Sequence, residues 1–173
     1  MKIAFLTKSF GRHMKEAAKI TTLNLAKALQ GKGHQVLIIS ERGFKRSASK
    51  KRTPREETID GVKVFRPYYL PNITKTAITP MGIFNRVLAA PLGVRRIKIP
   101  FDIIHSQSSS PILVLNGLLA RVFIPDAKLV HSIKSLPSHP MGLRFAKLLN
   151  HTDAVIVPTQ LLKERLIRQG VRA

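Results

Sequence analysis

The residues best placed to do chemistry follow a series of short apolar runs. After Ile3-Ala4-Phe5-Leu6 come Lys8, Ser9, Gly11, Arg12 and His13. After Ile103-Ile104 come His105, Ser106, Gln107 and Ser108, and after Lys128-Leu129-Val130 come Ser132, Lys134 and Ser135. Pro158 and Thr159 follow Ala154-Val155-Ile156-Val157. Lysine and arginine supply fixed positive charge and N–H donors. Hydroxyls and carboxamides both donate and accept, and histidine exchanges a proton near neutral pH. Together these side chains make a candidate binding rim that does not by itself name a reaction. Ser108 and Thr159 also have a local use, since both residue types cap helices.

Several chemistries are excluded. The chain has no cysteine, so disulfides, thiolate metal sites and a cysteine nucleophile are absent. His131 and His139 have no acidic or histidine partner at metal-ligand spacing, and no metal or cofactor is expected. Gly31-Lys32-Gly33-His34 sits after a helix and before a strand, the reverse of a phosphate loop, and reads as a helix stop. No serine has the flanks of a nucleophile elbow. Asp and Glu number only 9, and Glu56, Glu57 and Asp60 fall in a polar connector, so a two-carboxylate glycosidase is not expected.

The positioning elements alternate. Val36-Leu37-Ile38-Ile39 is a second buried strand pattern, and Val62-Lys63-Val64-Phe65 a third, nearer an edge. Ala17, Ile20, Leu23, Leu25, Ala28 and Leu29 recur at helical spacing. Further helical stretches run over Met81–Val94, Ile112–Val122, Met141–Asn150 and Gln160–Gln169. The alternation predicts an α/β fold: one Rossmann-like, doubly wound, mostly parallel sheet of about six strands, with residues 1–173 as a single domain. Ligands of such sheets gather at the carboxyl ends of the strands, where the residues named first must converge.

Charge adds a partner. Lys and Arg number 30, the formal net charge is +21, and 44% of residues are hydrophobic. That balance describes a folded domain facing a polyanion. Residues 42–55 hold Arg42, Lys45, Arg46, Lys50, Lys51, Arg52 and Arg55 without an acid. Ile83, Phe84, Val87 and Leu88 form an amphipathic patch followed by Arg95, Arg96 and Lys98. Such a patch either packs on the sheet or lies on an anionic bilayer. No apolar run reaches a membrane span, and the N-terminal run is too short for a secretory signal. The expected location is cytoplasmic, including the inner face of a membrane. A nucleic-acid-binding α/β module competes, favoured by charge but lacking a recognition motif. So does a non-catalytic scaffold subunit of the same fold.

Four segments carry a family resemblance. Leu25-Ala26-Lys27-Ala28-Leu29 with Gly31-Lys32-Gly33-His34-Gln35-Val36 resembles the first helix and second strand of the GT-B glycosyltransferases of family 4. Asp60-Gly61-Val62-Lys63-Val64 and Phe101-Asp102-Ile103-Ile104-His105-Ser106 resemble its next two motifs. Asp153-Ala154-Val155-Ile156-Val157, with Leu166-Ile167 and Gly170-Val171, resembles a fourth. The order is the family's and spans nearly the whole chain. The resemblance implies the N-terminal, acceptor-binding half of a retaining, hexosyltransferase-like enzyme that moves a sugar from a nucleotide-sugar donor. The acceptor is expected to be lipid-linked or otherwise anionic. The family's donor half, with its pair of glutamates seven residues apart, is expected to be absent from this chain, leaving it inactive alone. Three departures stand out. Glu16-Ala17 occupies the place of a glycine pair in the first loop, and Gln107 that of a second histidine. Lys134 falls where the family keeps a sugar-contacting histidine, so it is the candidate catalytic residue, with His131 as the alternative.

Overall fold

The run Ile3-Ala4-Phe5-Leu6 is buried on both faces, as a central strand of a parallel sheet must be. The computed structural model describes residues 1–7, 10, 17–40, 54–67, 87, 91–108, 111–133 and 143–172. In chain order these form β1 (Lys2–Thr7), α1 (Ala17–Gly31), β2 (Gln35–Ser40), β3 (Glu56–Ile59), β4 (Val62–Phe65), α2 (91–97), β5 (Ile103–Gln107), α3 (Pro111–Phe123), β6 (Lys128–Ser132), α4 (Leu143–Leu149), β7 (Ala154–Ile156) and α5 (Gln160–Arg168).

The strands make one sheet in the order β3-β4-β2-β1-β5-β6-β7. Every neighbouring pair is parallel except β3 and β4. The expected α/β architecture is present, with Ile3–Leu6 paired to Val36–Ile39 in register. The sheet has one strand more than expected. Glu56 and Glu57 belong not to a polar connector but to β3, an edge strand antiparallel to β4. The missed signal is a period of two, in which Glu57 and Ile59 turn inward while Glu56 and Thr58 face solvent. Asp60 (φ 47°) and Gly61 (φ 84°) close this hairpin between paired Ile59 and Val62. Both turn residues are left-handed, the geometry that matches the twist of a tight hairpin.

Helices cover both faces. Ile3, Phe5, Val36, Ile38, Val62 and Val64 pack with Ala26 of α1 and with Phe10. On the other face Ala4, Leu6, Ile39, Ile104 and Leu129 pack with Val94 of α2 and Ala120 of α3. A third cluster joins Val114 of α3 to Phe145, Leu149, Leu162 and Leu166 of α4 and α5. At Gly117 α3 lies so close to the sheet that a Cβ would meet Leu129 Cδ1 at 2.6 Å. The helix expected over Met81–Val94 is described at residue 87 and continues past Val94 through 97, while Ile83, Phe84 and Leu88 lie outside the described residues.

Aspartates fasten the amino-terminal edge of the sheet. Asp102 Oδ2 accepts from Lys2 N at 2.6 Å, and Asp153 Oδ2 accepts from Leu129 N at 2.8 Å. Asp153 also pairs with Arg121 at 3.1 Å. The Leu129 N–H above all holds its carboxyl below the usual carboxylate range, assisted by Lys128 and Arg121 against the cost of desolvation. The aspartates of two of the family-like motifs therefore tie neighbouring strands together at the edge opposite the expected ligand edge.

Candidate functional site

In an open parallel sheet a crevice forms at the carboxyl edge where strand order reverses. Here that point lies between β1 and β5: successive strands run outward from β1 on one side and from β5 on the other. The last rung of the sheet crosses it. Thr7 pairs with Ser40, Leu6 with Ser106, and Gln107 with Ser132. Ser40, Thr7, Gln107 and Ser132 thus form a polar row on the face covered by α1, directly above the apolar rungs. Ser40, Thr7 and Gln107 are buried and Ser132 is half-buried.

The first turns of α1 complete the row. Thr22 Oγ1 donates to Gln107 Oε1 at 2.5 Å, and Lys19, one turn earlier, is also buried. The buried stripe of α1 therefore runs through Lys19, Thr22 and Ala26, whereas Ile20, read from spacing as part of the apolar face, is exposed. Beneath the row, His105 Nε2 bonds Ser132 Oγ at 2.6 Å, and its ring lies 4.9 Å from that of Phe5. One atom of the row is left over: Thr7 Oγ1 is buried without a hydrogen-bond partner. A desolvated hydroxyl without a partner costs about 1–3 kcal/mol, so this one is poised to gain from a ligand.

The opposite face of the same strands anchors the edge. Ser106 Oγ donates to His131 Nδ1 at 2.6 Å, and His131 Nε2 donates to the Ser108 carbonyl at 2.8 Å. The carbonyl can only accept, which assigns the proton to Nε2 and leaves Nδ1 as acceptor. Burial pushes the imidazole pKa down to about 4, the Ser108 carbonyl opposing more weakly. The ring meets Phe145 edge-on, 6.5 Å between centroids. His131 lies beneath the edge with both nitrogens engaged, holding the start of the connection into α3.

A buried arginine fixes the other flank. Arg66, just past β4, is 1% exposed. Its Nε and Nη2 donate to the Phe10 carbonyl at 3.1 and 2.6 Å, its Nη1 donates to the Pro54 carbonyl at 3.1 Å, and Nη2 pairs with the Glu57 carboxylate. One guanidinium thereby joins the segment after β1 to the segment leading into β3.

Of the residues named from sequence, the structure gathers His105, Gln107, Ser108 and His131 at or under the β5–β6 end of this edge. Lys8, Ser9, Gly11, Arg12, His13, Lys134 and Ser135 lie outside the described residues, as do Arg42, Lys45, Arg46, Lys50, Lys51 and Arg52. Arg55 is half-buried with its guanidinium 5.2 Å from the Phe65 ring centre. Arg95, Arg96 and Lys98 are exposed around the end of α2. Thr159 caps α5, accepting from Leu162 N at 3.2 Å. Sequence reasoning missed Thr7, Ser40, Lys19, Thr22 and Arg66. A signal existed for the first two: the apolar runs Phe5-Leu6 and Ile38-Ile39 each end in a hydroxyl residue. No helix among the described residues is long and apolar enough to cross a membrane. Residues 18–173 match the family model described as Glycosyltransferase Family 4, and none of the curated proteins compared with the chain matches it.

Proposed function

The chain belongs to glycosyltransferase family 4, and from that membership we propose that it is the acceptor-binding half of a retaining glycosyltransferase. The polar row Ser40–Thr7–Gln107–Ser132 at the switch point carries this reading, because it sets buried donors and acceptors where the sheet opens to a ligand. Hydroxyl and carboxamide groups suit the hydroxyls of a sugar acceptor, each direct bond contributing about 1 kcal/mol and rejecting ligands that leave the row unpaired. His131 and Arg66 keep the row in place from the two sides, so the binding geometry is set before the acceptor arrives.

In this proposal Lys8, Ser9, Gly11, Arg12 and His13 line the β1 side of the crevice, and Lys134 and Ser135 the β6 side. Lys134 holds a donor hydroxyl or phosphate with a fixed charge rather than acting as a titrating base. A nucleotide sugar is held by a second domain bearing the family's glutamate pair, whichever chain carries it. The acceptor is a lipid-linked or otherwise anionic saccharide, and an anionic membrane is the surface on which the protein meets it. The chain's formal charge of +21 supports both. The single domain needs no resident cofactor for this role.

Calorimetry on the 173-residue chain tests the division of labour. A water-soluble, short-chain prenyl-diphosphate oligosaccharide is expected to bind with heat. A panel of nucleotide sugars is expected to bind no tighter than about millimolar, near −4 kcal/mol. Micromolar binding of a nucleotide sugar by this chain would place the donor site here and overturn the assignment.

A further inference from the structure

Arg66 extends the polar row by one strand. β4 runs beside β2, and their last paired residues are Phe65 and Ile39. One step further along both strands stand Arg66 and Ser40, and Ser40 pairs with Thr7. Val62 and Val64 turn to the face covered by α1, as Ile38 and Phe5 do. Alternation along the strands therefore puts Arg66, Ser40 and Thr7 on that same face. The row reads Arg66–Ser40–Thr7–Gln107–Ser132, with a buried cation at its β4 end.

The partners of this guanidinium show its duty. Its charge is met by the Glu57 carboxylate through Nη2. An arginine buried only to pair with a carboxylate commonly turns both prongs of its fork to it. Here Nε and Nη2 converge instead on the Phe10 carbonyl, at 3.1 and 2.6 Å, 56 positions away in sequence. Arg66 is itself fixed at two further points. Its backbone N–H donates to the Arg55 carbonyl at 2.7 Å, and Nη1 donates to the Pro54 carbonyl at 3.1 Å. Phe10 is buried in the cluster beneath α1 and lies three residues past Thr7. Three Cα–Cα steps reach about 11 Å at most. The backbone leaving β1 is thus held at both ends, by the sheet at Thr7 and by the fork at Phe10. Thr7 Oγ1 is the buried hydroxyl of the row that has no partner.

We infer that Arg66 is a positioning residue for the acceptor: through the Phe10 carbonyl it sets the course of the backbone leaving β1, and with it the aim of the Thr7 hydroxyl. The inference rests on the acceptor site proposed above. Arg66 makes no bond to the acceptor, since its donors are engaged by Phe10, Pro54 and Glu57. It bounds the row at β4, so the acceptor lies over Ser40, Thr7, Gln107 and Ser132. The ion pair and the fork then have separate duties. The pair with Glu57 neutralises a buried charge, which is a matter of stability. The fork on Phe10 holds the site. Lysine can serve the first duty and not the second, because it lacks the planar array of donors.

Three variants of the 173-residue chain separate the two duties. Glu57→Gln removes the ion pair and keeps the fork. Arg66→Lys keeps the charge and removes the fork. Arg66→Gln combined with Glu57→Gln removes both and leaves neither partner charged, so it serves where the lysine variant does not fold. Stability is read from urea unfolding, and affinity from calorimetry with the water-soluble prenyl-diphosphate oligosaccharide. All three variants are expected to lose stability. Glu57→Gln is expected to bind the acceptor as tightly as the wild type. Both Arg66 variants are expected to bind it about 10-fold more weakly, the worth of one or two direct bonds. Without acceptor, the Thr7 amide resonance is expected to move in both Arg66 variants and to stay in place in Glu57→Gln. Affinity that follows stability across all three variants, or a Thr7 resonance indifferent to loss of the fork, would overturn the inference. Wild-type binding that the Arg66 variants retain in full removes this inference alone. A wild type that binds no acceptor, with Thr7 still moving when the fork is lost, removes the acceptor assignment and leaves Arg66 in control of the row.

Discussion

His131 makes the stability of this domain depend on pH within a definable window. The buried ring is neutral, donating from Nε2 to Ser108 and accepting at Nδ1 from Ser106. Its pKa is about 4 in the folded chain against an ordinary 6.5. Above about pH 6.5 both folded and unfolded chains carry neutral imidazole, and the contribution is complete. As pH falls from 6.5 towards 4 the unfolded chain takes up a proton that the folded chain refuses, so stability is lost. Below about pH 4 this residue causes no further loss. Each unit of the interval is worth about 1.4 kcal/mol, so the whole interval carries about 3 kcal/mol. The Asp153 carboxylate, depressed chiefly by the Leu129 N–H, contributes in a separate window, its stabilisation being lost only as pH falls below the ordinary 3.8. Urea unfolding of the wild type and of His131→Gln at several pH values between about 4.5 and 7.5 measures the effect. The wild type is expected to lose stability on acidification more steeply than the variant, by up to about 1.4 kcal/mol per pH unit. Parallel curves, or a His131 ring resonance titrating near 6.5 in the folded wild type, would refute the assignment of a buried neutral ring.

Three further outcomes follow from other contacts. Asn116 on α3 is wholly buried with neither end of its carboxamide bonded, so Asn116→Leu is expected to raise unfolding stability by about 1 kcal/mol in urea titration. Arg66→Met strips partners from the Phe10 and Pro54 carbonyls and from Glu57, and is expected to cost about 3 kcal/mol on the same scale. In a two-domain enzyme reconstituted with a donor half, Lys134→Ala is expected to lower kcat roughly 10- to 100-fold, the worth of one charge-assisted bond made mainly in the transition state. Its melting temperature should hardly move, and unchanged turnover would return Lys134 to an ordinary surface role.

Much of the architecture was legible because both periods are strong. Ile3–Leu6 and Val36–Ile39 are continuous apolar runs, and burial on two faces leaves a parallel sheet as their natural setting. β3 was hidden because Glu56-Glu57-Thr58-Ile59 offers one apolar residue, and its pairing depends on the Asp60–Gly61 turn and on β4. The site was legible only in outline. Reading ligand groups after the strands directed attention to the carboxyl edge, yet the row begins on the last strand residues, Thr7 and Ser40, which strand patterns absorb. On α1, counting apolar residues favoured Ile20, while the sheet beneath presents Gln107, so the polar Thr22 turns inward in its place. Arg66 has no local signature, since its partners lie up to 56 positions away in sequence. The motif aspartates, Asp102 and Asp153, carry a family resemblance through a structural duty at the far edge.

The central claim is that the polar row at the switch point receives the acceptor, and amide chemical-shift mapping tests it most directly. The 173-residue chain, isotope-labelled, is titrated with the soluble prenyl-diphosphate oligosaccharide. The largest saturable changes are predicted at Ser40, Thr7, Gln107, Ser108 and Ser132 and along the first turns of α1 from Lys19 to Thr22. Thr7→Val, which removes the unpartnered hydroxyl while keeping its shape, is predicted to weaken the titration without altering the fold. Changes centred instead on the amino-terminal edge around Ile99 and Phe123, or no saturable change at all, would contradict the account.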